Sequence, residues 1–261
     1  MSTFYLGVPE PRWLEREEFR GVPLFVSHNR LRRVKNLPRA ITRWALDSGG
    51  FNHIETHGRW TITAAEYAEA VDRYHREIGM MDWAAPQDWM CEAKMLARTG
   101  LTVDDHQRLT TENGLELRRI APHLPWIWVL QGDTPASYLA HVALYAEHGV
   151  DLTAEAVVGV GSVCRRQSTA EATEIFQLLA GLGINVHGFG VKILGRNRYA
   201  DALVSADSQA WSARARNRGR AGKNGEPPQG ALPGCTHRNC NYCPKFALQW
   251  REAVLAGRPT P

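Results

Sequence analysis

The chain of 261 residues carries 31 lysines and arginines against 27 aspartates and glutamates, a formal net charge of +4, and is 44% hydrophobic and 22% charged. That balance excludes wholesale disorder and a transmembrane bundle, and the length suits one large α/β domain or two small ones. The N-terminal stretch MSTFYLGVPEPRW lacks a basic segment followed by an apolar one, so a cytoplasmic location is expected.

In chain order, apolar strands are predicted at residues 4–8, 23–27, 43–47 and 81–86. Between the last two, Thr63 followed by Glu66 forms a capping box that opens a helix over residues 64–79. A further helix covers much of 102–121, and a fifth strand follows at 126–131. Asp133 and Thr134 before Pro135 suit the N-cap and first turn of a helix over 136–149. The sixth strand, at 156–161, leads to Ser168 and Glu171, a second capping device, before a helix over 172–183. The last strands are placed at 186–192 and 202–207, and the connections after strands one, two and seven are too short or irregular to assign.

These strands are nearly continuous in hydrophobicity, as strands covered by helices on both faces are. Eight of them alternating with helices predict an α/β fold, a (β/α)8 TIM barrel with right-handed crossovers. An open doubly wound sheet is the alternative, and its dinucleotide-binding version loses support because no G-x-G-x-x-G follows an early strand. The barrel is expected over residues 1–218, and residues 219–261 are read as a loop, a zinc-binding segment and a C-terminal helix packed on the barrel.

In a parallel barrel the reactive groups gather at the carboxyl ends of the strands. Those ends read Asp47-Ser48-Gly49-Gly50, Pro86-Gln87-Asp88, Gln131-Gly132-Asp133, Gly159-Val160-Gly161-Ser162, Gly190-Val191-Lys192 and Ser205-Ala206-Asp207. A single aspartate at a strand end is commonly a helix cap, but a recurrent set with a glutamine is more than capping needs. Asp47 and Asp207 read as a carboxylate pair, one attacking carbon and one moving a proton. Gly49, Gly50, Gly159 and Gly161 would let the backbone approach a flat ligand, while Asp88 and Gln131 would read the edges of a heterocycle. Ser48 and Lys192 share that rim, and His187 reads either as pocket lining or as a satisfied core histidine.

Cys235, His237, Cys240 and Cys243 offer four ligands within nine positions, enough for a structural Zn2+ site. Cys91 and Cys164 read as buried small hydrophobes. Arg214, Arg216, Arg218, Arg220 and Lys223 form a tract without an acid, suited to neutralising phosphates at the pocket mouth. A second basic stretch, residues 28–39, carries Arg30, Arg32, Arg33, Lys35 and Arg39. Phe51, Trp89 and Trp211 read as core aromatics or as platforms for a base.

The segments DSGGF (47–51), PQD (86–88), QG (131–132), VGVGS (158–162), HGFGVK (187–192) and SADSQAW (205–211), followed by the cysteine-rich segment, carry a family resemblance. Their order and spacing resemble the tRNA-guanine transglycosylase superfamily, and most closely its branch that inserts 7-deazaguanines into DNA, encoded by phages and bacterial modification clusters. The resemblance implies that Asp207 attacks C1′ of the nucleotide and expels guanine, that Asp47 serves as acid and base, and that Asp88, Gln131 and the backbone at Gly161 bind the base. It implies DNA as partner, a 7-deazaguanine such as 7-cyano-7-deazaguanine as second substrate, and the host cytoplasm where the chain is phage-encoded. The sequence departs from the tRNA-modifying pattern in Asn52 after Phe51, Asp133 after Gln131-Gly132, Ser-Gln-Ala-Trp after Asp207 in place of Pro-Thr-Arg, and a histidine inside the cysteine cluster. The competing readings are a tRNA acceptor, a barrel hydrolase, and a non-catalytic zinc-containing protein that grips nucleic acid.

Overall fold

The computed structural model describes residues 2–163, 169–191, 198–218, 230, 232–237, 240–258 and 260. Eight strands, β1 (Thr3–Gly7), β2 (Leu24–Ser27), β3 (Trp44–Asp47), β4 (Met81–Ala84), β5 (Trp128–Leu130), β6 (Val158–Val160), β7 (Val186–Gly188) and β8 (Leu203–Ser208), form one sheet ordered β4-β3-β2-β1-β8-β7-β6-β5. The two ends of that order meet. Ala84 bridges Trp126 in parallel, its N–H donating to Pro125 O at 2.9 Å and its carbonyl accepting from Ile127 N at 3.1 Å. The expected (β/α)8 barrel is therefore the observed fold, with all eight strands within a few residues of their predicted places.

Helices α1 (His28–Leu31), α2 (Gly50–His57), α3 (Ala64–Ile78), α4 (Ala93–Thr99), α5 (Val103–Ile120), α6 (Pro135–Glu147) and α7 (Ala170–Gly181) lie between the strands. The long ones start where local chemistry says they should. Thr63 and Glu66 complete a capping box on α3, as do Thr102 and Asp105 on α5 and Thr134 and Ser137 on α6, each cap worth about 1 kcal/mol. On α7 the cap is Thr169, whose hydroxyl accepts from Ala172 N at 3.2 Å, and the predicted cap Ser168 lies outside the described residues. The buried face of α3 runs through Tyr67, Val71, Tyr74 and Ile78, the spacing of an amphipathic helix.

Strand ends and helix starts fix where the site lies, and the barrel interior beneath it is a layer of large rings. Tyr5, Ala45, Trp83, Ala85, Ile127 and Val129 form a buried cluster with Phe25, Val157 and Phe189 packed against it. His187 stands among those rings, its centroid 4.7 Å from Trp83 and 4.9 Å from Phe189.

The chain divides into two compact units, Met1–Asp207 and Ser208–Pro261. In the second, the helices Ala210–Arg218 and Pro244–Leu255 pack together, with Trp211, Phe246 and Trp250 buried. Among the described residues no helix is long and apolar enough to cross a membrane.

Candidate active site

Three aspartates converge at the carboxyl ends of the barrel strands. Asp47 closes β3, where the Ser27 hydroxyl and the Gly49 backbone hydrogen-bond its carboxylate. Loss of water nevertheless pushes its pKa up to about 6, and the charge of Asp207 adds to the rise. Asp88, buried in the turn after β4, is pushed up to about 7, first by loss of water and then by the charge of Asp47, against hydrogen bonds from Ser48 and Gln131. With Asp47 and Asp88 raised toward neutrality, chiefly by loss of water, the mouth has a carboxyl group that can give a proton and take it back near pH 7.

Asp88 sits at the end of a chain of oriented side chains. Ser48 Oγ donates to Asp88 Oδ1 at 2.9 Å, and Gln131 Nε2 donates to Asp88 Oδ2 at 2.6 Å. Ser162 Oγ donates to Gln131 Oε1 at 2.6 Å and itself accepts from Cys91 N at 2.6 Å, which fixes the amide's orientation. The main chain of Gln131 is pinned as well, its carbonyl accepting from Gln107 Nε2 at 2.7 Å and its N–H donating to His141 Nδ1 at 2.9 Å. Burial depresses the pKa of His141 to about 4, so it is the neutral ring such an acceptor needs. Ser162 adopts φ +58°, a left-handed conformation that a residue with a side chain takes at a cost.

Asp207, on β8, is buried and held on one oxygen. Its Oδ1 accepts from Gly190 N at 2.9 Å and faces His187 Nε2 at 3.3 Å, while His187 Nδ1 lies 2.8 Å from Ser205 Oγ. The Nε2–H tautomer satisfies both contacts, with the serine hydroxyl donating to Nδ1. Among the described residues Oδ2 has no hydrogen bond.

The glycines of the rim serve close approach, but of the protein's own atoms. A Cβ on Gly49 would stand 2.2 Å from Asn29 Nδ2, one on Gly50 2.9 Å from the Trp60 ring, one on Gly159 2.5 Å from the Phe189 ring, and one on Gly161 2.3 Å from Gln131 Nε2. Gly49 also takes φ +76° at the N-cap of α2. Asp47, Ser48, Gly49, Gly50, Asp88, Gln131 and Gly161 thus form one connected assembly that Asp207 joins by its charge, and His187 supports Asp207. Lys192 lies outside the described residues. Sequence reasoning missed Ser27, Asn29, Trp60, Gln107 and His141 as supports, and left Ser162 within a quoted motif without a role. The quoted aromatics Phe51 and Trp89 pack on Ile54, Met90 and Met95, and Cys91 is buried.

In the second unit the ligand atoms of Cys235, His237, Cys240 and Cys243 all lie within 4.8 Å of one another. Cys235 Sγ is 3.9 Å from Cys243 Sγ, and His237 Nε2 is 3.0 Å from Cys240 Sγ. Tetrahedral zinc with Zn–S bonds of ~2.3 Å sets sulfurs roughly 3.8 Å apart, so this group could hold a metal ion of that kind. Burial, then the neighbouring thiols, pushes the Cys235 pKa up to about 11, a repulsion that a cation would reverse. Arg214 and Arg216 are exposed on the helix Ala210–Arg218. The side chain of Arg218 and all of Arg220 and Lys223 lie outside the described residues, as does Cys164.

Comparison with curated proteins found no match. A family model, in contrast, matches residues 1–260, nearly the whole chain, and its description is DpdA, DeoxyPurine in DNA protein A. On that match the chain belongs to the DpdA family, whose members are tRNA-guanine transglycosylase-like DNA modification enzymes.

Proposed function

We propose that the protein exchanges guanine in DNA for a 7-deazaguanine, such as 7-cyano-7-deazaguanine, by double displacement through a covalent Asp207–nucleotide intermediate. The observation that carries this reading is the gathering of Asp47, Asp88 and Asp207 at the carboxyl ends of the barrel strands, with Asp88 oriented by Ser48 and Gln131 and Asp207 held on one oxygen by Gly190 N and His187. In the first displacement Asp207 Oδ2 attacks C1′, the C1′–N9 bond breaks, and the departing guanine takes the proton of Asp47. In the second, the incoming base gives its N9 proton to Asp47 and its nitrogen attacks C1′, which releases the Asp207 carboxylate. Atoms and charge balance over the pair, and no redox group enters.

Asp88 and Gln131 would recognise the polar edge of both bases, since the two purines share that edge and differ at position 7. The Gly190 N–H and His187 bonds to Oδ1 orient the nucleophile and leave Oδ2 for attack. The cysteine-histidine group would hold structural zinc through all four ligands, with no position open for water. The target nucleotide must leave its stack to reach the carboxylates.

The test is incubation with labelled 7-cyano-7-deazaguanine and either DNA or tRNA. Label should enter DNA with release of one guanine per base incorporated. Label in tRNA alone, or guanine release without incorporation, would favour the tRNA or the hydrolase reading, and neither product would favour the binding module.

A further inference from the structure

We propose that the segment after β2 is a phosphate clamp, holding the DNA backbone at the edge of the mouth beside Asp47. This rests on the DNA reading above and adds a surface to it. Arg30, Arg32, Arg33 and Lys35, on α1 and the residues that follow it, are all exposed. Among the described residues none of the four side chains has a hydrogen bond or an ion pair. Elsewhere in the barrel cations are often committed: Arg12, Arg20, Arg76 and Arg119 pair with acids, and Arg98 caps backbone carbonyls. Four neighbouring positive charges without a counter-charge repel one another, and a polyanion relieves that repulsion.

Their place in the fold points the same way. Ser27 pairs in register with Asp47 and hydrogen-bonds its carboxylate, and Asn29 Nδ2 donates to Gly49 O at 3.0 Å. The cations begin directly after these two residues. The charge of Arg32 reaches His28 and His53, and His53 stacks at 4.7 Å on Trp60, whose Nε1 donates to Asp88 O at 3.1 Å. The segment's backbone is also held: Arg73 on α3 donates to Val34 O at 3.2 Å and Lys35 O at 2.6 Å. Cations on a fixed backbone next to the reacting carboxylate suit contacts that position a strand without reading its sequence.

The test measures binding of a fluorescein-labelled single-stranded DNA by anisotropy between 50 and 200 mM salt, using the full chain. It compares the wild type with the combined variant Arg30→Gln, Arg32→Gln, Arg33→Gln, Lys35→Gln. Four lost phosphate contacts at about 0.7 each should make the log–log salt slope shallower by about 3. Arg119→Gln, which removes a guanidinium paired with Glu116, should leave the slope unmoved. If the combined variant fails to melt like the wild type, Arg33→Gln and Lys35→Gln singly should each shift the slope by about 0.7. Wild-type slope and affinity in a folded variant would overturn the clamp and leave the exchange reading standing. A slope change seen with RNA of the same sequence but not with DNA would overturn the DNA assignment, and a wild type that binds no DNA would overturn the functional reading with it.

Discussion

Replacing Gly161 by alanine tests whether the Gln131–Asp88 contact recognises the base. The new Cβ would stand 2.3 Å from Gln131 Nε2, and an ordinary contact needs at least 3.4 Å, so the amide must retreat by about 1 Å. A displacement of that size cannot keep both of the 2.6 Å bonds that Gln131 makes with Asp88 and Ser162 at their present length and alignment. A hydrogen bond to a charged group is worth about 1.5–3 kcal/mol, whereas a glycine-to-alanine change at a compatible backbone position gains only about 0.4–1 kcal/mol from the unfolded chain. The loss therefore wins. Steady-state exchange kinetics should show KM for the incoming base raised roughly 10- to 100-fold, with a lowered melting temperature. Wild-type KM in a folded Gly161→Ala protein would refute the role given to Gln131.

His187→Gln should lower kcat while leaving KM for the base near its wild-type value, because the histidine holds Asp207 rather than the purine; stopped-flow measurement of guanine release checks it, and a pure KM effect would oppose it. The raised pKa of Asp88 predicts a pH effect on stability: between about pH 4 and 7 the folded state keeps a proton that the unfolded chain has released, so this group's contribution falls as pH rises. The wild type should accordingly lose melting temperature relative to Asp88→Asn across that window, a comparison in which the opposing histidines His28 and His141 cancel. Cys240→Ser should reduce bound zinc measured by elemental analysis and destabilise residues Ser208–Pro261, read as faster hydrogen exchange in the helix Pro244–Leu255; full zinc content with unchanged exchange would contradict a four-ligand site.

Much of the barrel was legible because its signals are local. Apolar runs of five to seven residues are too short for buried helices and read as buried strands, and Thr63 with Glu66 marks a helix start from the local sequence alone. Helices α2 and α4 escaped notice because eight and seven residues span too few turns to show a period, and α2 begins at a glycine pair that reads as a loop. Asp47, Asp88 and Asp207 stood out through their positions at strand ends. What aligns them did not: Gln107 and His141 lie on helices, where a buried polar residue looks like any other until the fold carries it to Gln131. The glycines misled in a specific way, since a missing side chain announces close approach but not of what, and here Phe189 and Gln131 take the space beside Gly159 and Gly161.

The central claim, that Asp207 becomes joined to the sugar while Asp47 manages the proton, is tested most directly by mass spectrometry of the protein mixed with DNA in the absence of incoming base. The account predicts a protein–DNA adduct mapped to the peptide holding Asp207, absent from Asp207→Asn. An adduct on another residue, or guanine exchange at the wild-type rate in Asp207→Asn, would contradict it.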